Sequence, residues 1–262
     1  MLSCMHQTDG NLIGRSGLTG DVLMINQCNE EKNMSCPTEK GTARLIFTKE
    51  RGLTKSRNMA INASTADVCL LCDDDETFVP DYEEKILNAY HRLPQADVII
   101  FKMKDRPASF PDQVMELKFP KTLKVSSWQI SFRRESLLKA GIRFDELLGA
   151  GTGNGGEEEL KFLTDCRRKG LIIFYVPEEI ASVGQTSSTW FHGFDRAFFM
   201  NRGATTRYIL GLPLALIYGV YYVVKKRPYY RDQLTPMEAM KALLSGMKEN
   251  KIKKQKEREN GI

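Results

Sequence analysis

Val68-Cys69-Leu70-Leu71-Cys72 runs without a polar residue into Asp73-Asp74-Asp75, with Glu76 behind. A short apolar run closed by an abrupt polarity change reads as a buried strand. Carboxylates at the carboxyl end of such a strand lie where open α/β sheets bind their ligands. Two like charges about 4 Å apart repel by roughly 4 kcal/mol at an effective dielectric near 20. Four acids in a row therefore call for a cation. An all-oxygen donor set suits a hard ion such as Mg²⁺ or Mn²⁺, commonly held by one or two carboxylates together with substrate phosphates. These residues point to a metal–diphosphate site at a strand end. The plainer alternative, an acidic turn capping the helix that Pro80 opens, needs one carboxylate rather than four.

Two further constellations carry charge in an ordered spacing. Arg51-Gly52-Leu53-Thr54-Lys55-Ser56-Arg57-Asn58 places cations and neutral hydrogen-bonding groups at the start of an expected helix, where backbone N–H groups already favour an anion. Thr54, Arg57 and Asn58 share one face of that helix; an exposed basic helix is the competing reading. Gly149 to Gly156 is rich in glycine and expected to be flexible. It leads into Glu157-Glu158-Glu159, which opens a helix and would by itself do no more than complement the helix dipole.

The elements that must position these groups alternate along the chain. Strands are expected at Leu2–Met5, Asp21–Asn26, Ala43–Phe47, Val68–Cys72, Val98–Met103 and Ile172–Val176. Helices are expected at Gly52–Asn62, Pro80–Arg92, Glu135–Ala140 and from Glu157 to about Lys169; Leu117–Phe132 reads as extended. This order predicts an α/β fold with a mostly parallel central sheet flanked by helices. A chain of 262 residues holds one such domain with an appendage. The six cysteines form no disulfide framework in a chain this long, and Cys69 and Cys72 lie inside a strand without a second pair at zinc spacing; buried thiols are expected.

Taken together in their order and spacing, the Arg51–Ala60 segment, the Asp73-Asp74-Asp75 strand end and Gly155-Gly156-Glu157-Glu158 resemble family 2 glycosyltransferases with the GT-A fold. The intervening Phe132-Arg133-Arg134-Glu135 and Phe144-Asp145-Glu146 fit the same pattern. The resemblance covers roughly residues 1–190. It implies a Rossmann-like nucleotide-sugar-binding domain whose D-x-D motif is Asp73 and Asp75. Asp75, with Asp73, would hold the Mn²⁺ or Mg²⁺ that bridges the nucleotide diphosphate. Gln7, Lys55, Arg57, Asn58, Asp73 and Asp74 would line the nucleotide-sugar site, with Asp9 a weaker neighbour of Gln7. Glu158, with Glu157, matches the catalytic acidic pair. The family most often carries Glu-Asp there, so the glutamate at 158 leaves the register among Glu157, Glu158 and Glu159 open. Trp190 falls on the acceptor side, with core packing as its alternative, and His192 is a further metal-ligand candidate. The activity implied is inverting transfer of a sugar from a nucleotide donor, expected to be UDP, to a glycan or lipid-linked acceptor in bacterial surface-polysaccharide synthesis. Two rivals remain: a sugar-phosphate nucleotidyltransferase, although Met5–Gly20 shows no phosphate-binding signature, and a non-catalytic nucleotide-sugar-binding partner subunit.

The chain divides at about residue 205, giving a catalytic domain over 1–205 and an extension over 206–262. Tyr208–Val224 has no charge, but its seventeen residues fall short of the ~20 needed to span a bilayer. Lys225-Lys226-Arg227 follow at once, and Lys225–Ile262 carries a net charge of +6. An apolar helix beside cations fits a monotopic anchor on a membrane surface; a core or dimer helix is the alternative. Localisation is therefore expected to be cytoplasmic, peripheral to the inner face of the cell membrane, with no secretory leader. One lysine-rich helix without interleaved aromatic residues gives no reason to expect a nucleic-acid partner.

Overall fold

The structure, a computed structural model, describes residues 1–184 and 193–259. They form two compact units, Met1–Asp145 with Glu159–Gln185, and Glu146–Glu158 with Thr186–Ile262. The division thus falls upstream of residue 205, and it assigns the glycine-rich loop to the helical unit.

The first unit is built on β-sheet. Strands β1 (Leu2–Met5), β2 (Val22–Gln27), β3 (Lys32–Pro37) and β4 (Thr42–Thr48) lie in the order β1-β2-β4-β3, with β1, β2 and β4 parallel. A second sheet has the path β5 (Val68–Leu70), β9 (Ile130–Arg133), β7 (Val98–Met103), β10 (Ile173–Val183) and β6 (Glu76–Phe78), with β8 (Met115–Glu116) on β10. A parallel bridge between Leu2 and Cys72 continues one sheet into the other. The parallel pairs are β1/β2, β2/β4 and β7/β10, and antiparallel strands β3, β6, β8 and β9 are added to them.

Both faces of this sheet are covered, which explains strands that read as unbroken apolar runs. In β7 the side chains alternate between two cores: Ile99 and Phe101 pack with Leu2, Met24 and Val176, whereas Val98 and Ile100 pack with Phe132, Phe162 and Ile173. Helices α2 (Leu53–Ala63), α3 (Tyr82–Arg92), α4 (Arg134–Ala140) and α5 (Glu158–Arg168) flank the strands, with a short α1 (Asn11–Arg15) after β1. Gly141 ends α4 in the left-handed conformation, as its position after the last apolar residue predicts. All six cysteines are free and five are buried. Burial pushes the Cys72 thiol well up, so Cys72 has no thiolate to offer.

The second unit packs α6 (Arg196–Leu210), α7 (Leu212–Tyr230), α8 (Pro236–Glu249) and α9 (Lys251–Glu259). The uncharged run Tyr208–Val224 is not one helix, because Gly211, at φ 76°, breaks it between α6 and α7. Thr235 and Glu238 form a reciprocal capping box at the start of α8, after which Pro236 occupies the first helical position. Phe199, Tyr222, Val223, Tyr230 and Leu243 make the core of this unit. Helices α6 and α8 touch backbone to backbone: a Cβ at Gly203 would strike the Leu243 carbonyl, and one at Gly246 the Met200 carbonyl. Gly203→Ala is expected to cost about 1–3 kcal/mol, the usual overpacking penalty. It should lower the denaturant midpoint, whereas Gly14→Ala, which meets nothing within 4 Å, leaves it in place.

Candidate active site

The carboxyl ends of β1, β2, β4 and β5 present the polar groups that the sequence singled out. After β1, the Gln7 backbone N–H donates to Asn26 Oδ1 (3.0 Å), and the Gln7 side chain turns back to the Met5 carbonyl (3.1 Å). At β2, Gln27 Oε1 accepts from the Gly52 N–H (2.7 Å). That bond ties the strand end to the start of α2, where Gly52, at φ 124°, adopts a backbone that only glycine enters without strain. Asp9 caps the next turn by accepting from the Asn11 N–H (2.9 Å).

Arg57 does not reach solvent. It is 2 % exposed, and its guanidinium lies over the Phe144 ring (5.3 Å). It pairs with Asp73 (3.0 Å) and with Glu159 (3.4 Å). It is the buried hub that joins α2, the acidic strand end and α5. Asn58 is likewise turned inward. Its amide donates to the Phe144 carbonyl and accepts from the Phe144 N–H, both at 2.9 Å. It therefore secures the approach to Asp145 and Glu146. Both inward orientations have one cause: the face shared by Thr54, Arg57 and Asn58 is the buried face of α2, whereas Lys55 is half-exposed beside it. Arg51 folds back onto the Thr48, Lys49 and Glu50 carbonyls.

Asp73 also accepts a hydrogen bond from Ser127 Oγ (2.9 Å), so two long-range partners fix its carboxylate. Asp74 is exposed and Asp75 half-buried. Partial burial, and then the charge on Asp73, raise the carboxyls of both above the usual range. The Asp75 carbonyl accepts from the Gly184 N–H (2.9 Å), which pins the acidic turn to the end of β10. Glu76, the first residue of β6, is 2 % exposed, and burial followed by the Asp73 charge pushes its carboxyl well up, toward the neutral acid.

The three glutamates separate cleanly. Glu157 pairs with Arg202 of α6, Glu159 pairs with Arg57, and Glu158, 5 % exposed, is the first residue of α5. The loop before them is built rather than loose. Asn154, 4 % exposed, donates from its amide to the Leu147 carbonyl (2.9 Å), and the Gly149 N–H donates to the Asn154 carbonyl (3.2 Å). Thr152 Oγ1 donates to the Gly149 carbonyl (2.8 Å). The expected flexibility is corrected accordingly: the glycines supply left-handed turns at 149, 151, 153 and 156 that Asn154 and Thr152 stitch together. Trp190 and His192 lie outside the described residues.

Ser127 and Arg202 were not anticipated, nor was the pairing of Glu159 with Arg57. Ser127 follows Ser126, which forms a capping box with Gln129, and Ser-x-x-Gln is a readable turn signature. Arg202 and Glu159 had no such signal, since their partners are distant in sequence. Among the described residues no group of three or more His, Cys, Asp or Glu side chains is arranged to hold a metal.

Residues 31–146 match the sequence model of glycosyl transferase family 2. Solved structures agree in fold at low identity. Residues 1–349 of S. aureus TarS in complex with UDP-GlcNAc superimpose with a TM-score of 0.58 at 13% identity, covering 99% of this chain and 91% of that one. The same TarS fragment in complex with UDP gives 0.57 at 15% identity, over 94% and 80%. Mannosyltransferase PcManGT from Pyrobaculum calidifontis, in complex with GDP-Man and Mn²⁺, gives 0.50 at 12% identity, over 94% and 68%. No curated protein matches the sequence. The likeness to these structures shows a fold of the GT-A class.

Arg57→Met strands Asp73 and Glu159 beside a buried apolar side chain. Breaking a buried ion pair from one side costs about 3–5 kcal/mol. Urea unfolding should show a loss in that range, and Arg57→Lys, which lacks the planar fork, should recover only part of it.

Proposed function

We propose that the protein is an inverting, metal-dependent glycosyltransferase that moves a sugar from a UDP donor to a hydroxyl of a glycan or lipid-linked acceptor in surface-polysaccharide synthesis. The observation that carries the reading is the acidic strand end. Within the family 2 match, Asp73 is fixed by Arg57 and Ser127 while Asp75, two residues on, is half-buried and repelled by Asp73. The likeness to TarS bound to UDP-GlcNAc and to UDP supports the choice of nucleotide.

The donor set fits Mn²⁺ or Mg²⁺. Its groups are hard oxygens, their mutual repulsion is relieved by a cation, and one or two carboxylates suffice when a diphosphate supplies further oxygens. Asp75 would hold the ion, with Asp74 beside it and Asp73 committed chiefly to Arg57. When bound, the ion acts as a Lewis acid that stabilises charge on the departing diphosphate. Gln7 and Lys55 would contact the nucleotide. Glu158 takes the proton from the acceptor hydroxyl, whose oxygen then forms the bond to the anomeric carbon opposite the leaving nucleoside diphosphate; the role requires Glu158 within hydrogen-bond reach of that hydroxyl. Glu158 opens α5 and matches the second position of the acidic pair that the resemblance implies, which favours it as the base.

A screen of UDP-, GDP- and dTDP-sugars with and without Mn²⁺ tests this assignment. Metal-dependent release of UDP is expected, abolished by Asp75→Ala and reduced by about 10²–10⁴-fold in Glu158→Gln, the span typical of general base catalysis. Pyrophosphate release instead would favour a nucleotidyltransferase. UDP binding without turnover in any donor would favour a non-catalytic partner subunit.

The acceptor's chemistry is tied to the second unit. Among the described residues no helix is long and apolar enough to cross a membrane. Helix α7 nevertheless exposes Leu214, Ile217, Val220, Tyr221 and Val224 on its outer side, with Lys225 and Lys226 at once beyond. A two-fold dimer through this face would bring the two basic clusters together, whereas an anionic bilayer would neutralise them. The reading is peripheral attachment to the cytoplasmic face of the cell membrane, where a lipid-linked acceptor resides. Vesicles containing anionic phosphatidylglycerol should co-sediment the protein and those of phosphatidylcholine alone should not. Ile217→Glu with Val224→Glu should release it, and binding unchanged by that pair would rule out this face.

A further inference from the structure

Glu157 breaks a pattern set by the residues before it. Gly151, Gly153 and Gly156 take left-handed backbone angles at no cost, and Glu157 continues the series at φ 71°. A side chain in that region carries backbone strain and persists only where the surroundings hold it. Here the holder is α6. Arg202 forms an ion pair with the Glu157 carboxylate, and its neighbour Asn201 donates from its amide to the Gly155 carbonyl (2.9 Å). Two consecutive residues of one helix thus grip the last turn of the loop.

Arg202 is itself held. Its guanidinium lies over the Tyr222 ring (4.6 Å) and the Phe198 ring (5.3 Å). The side chains of Arg202 and Glu157 are only 16% and 15% exposed. Solvent therefore screens the pair weakly, and stacking between aromatic faces leaves the guanidinium little rotational freedom. The arrangement is stiffer than a helix start requires, because a helix start needs no ion pair to the residue before it.

We propose that Arg202 is a positioning residue for Glu158. By clamping Glu157 in its strained conformation it fixes the direction in which the chain leaves the loop, and hence where the first residue of α5 presents its carboxylate. The inference rests on the reading of Glu158 as the base. Proton abstraction is sensitive to placement, and a displacement of 1 Å costs on the order of 10²-fold in rate. A clamp one residue away from the reacting group, anchored in the aromatic core of the helical unit, is suited to that demand.

The test compares Arg202→Met, Arg202→Lys, Glu157→Gln and the double variant Arg202→Met/Glu157→Gln in the full chain, with Glu158→Gln alongside. The clamp predicts that Arg202→Met lowers kcat for UDP release by about 10- to 100-fold, with donor KM and UDP affinity unchanged. Arg202→Lys should regain part of the rate. The double variant should be no slower than Arg202→Met, because the two groups act as a unit. Amide exchange over residues 149–158 should quicken in Arg202→Met and less in Arg202→Lys, a readout that needs no substrate. Wild-type exchange and kcat in Arg202→Met, or losses that add in the double variant, would overturn the proposal. The two readings fail separately. Full turnover by Glu158→Gln sinks the base assignment whatever Arg202 does, whereas an inactive Glu158→Gln beside an unimpaired Arg202→Met sinks only the clamp.

Discussion

One buried guanidinium organises the β-sheet unit. Arg57 is withdrawn from water, and a desolvated cation is tolerated only with its charge answered and its N–H groups bonded. Asp73 and Glu159 answer it, one from the end of β5 and the other from the first turn of α5. Three segments far apart in the chain are thereby held at one point. The same pairing spends Asp73 on structure, so the acidity available to a cation is concentrated on Asp74 and Asp75. The arrangement of charges is in this sense a division of labour: Asp73 builds the turn, while Asp74 is exposed and Asp75 half-buried beside it.

Much of the architecture could be read from residue pattern, because sheets covered on both faces leave long apolar runs. The expected bounds of β1 and β7 agree with the structure, and α3 and α4 begin within two residues of expectation. What escaped notice was whatever lacked that signal. Strand β3 is exposed along nearly its whole length, so no apolar alternation marks it. Strand β10 runs seven residues beyond its expected end at Val176 because it follows β7 and then turns to β6 through polar residues. The uncharged run from Tyr208 looked like one helix, since composition does not show a chain break at Gly211.

The candidate site was legible in its residue types and less so in their orientation. The strand-end acids and the glutamates opening α5 were found at element ends, as their sequence context required. Arg57 and Asn58 were expected to face a ligand because their chemistry suits one. Whether an arginine points inward depends on which face of α2 meets the sheet, and a helix with buried Thr54, Ser56, Arg57 and Asn58 offers little hydrophobic contrast to reveal it. Ser127 and Arg202 depend on contacts across 54 and 45 positions of chain respectively, beyond the reach of local spacing.

The central claim is that the end of β5 grips a nucleoside diphosphate through a divalent ion held by Asp75. Calorimetric titration of UDP into the protein, with Mn²⁺ or with EDTA, addresses it without any acceptor. The account predicts tight binding only with Mn²⁺, lost in Asp75→Asn while the fold is unchanged. Equal UDP affinity in EDTA, or an Asp75→Asn protein that binds UDP–Mn²⁺ as the native chain does, would contradict it.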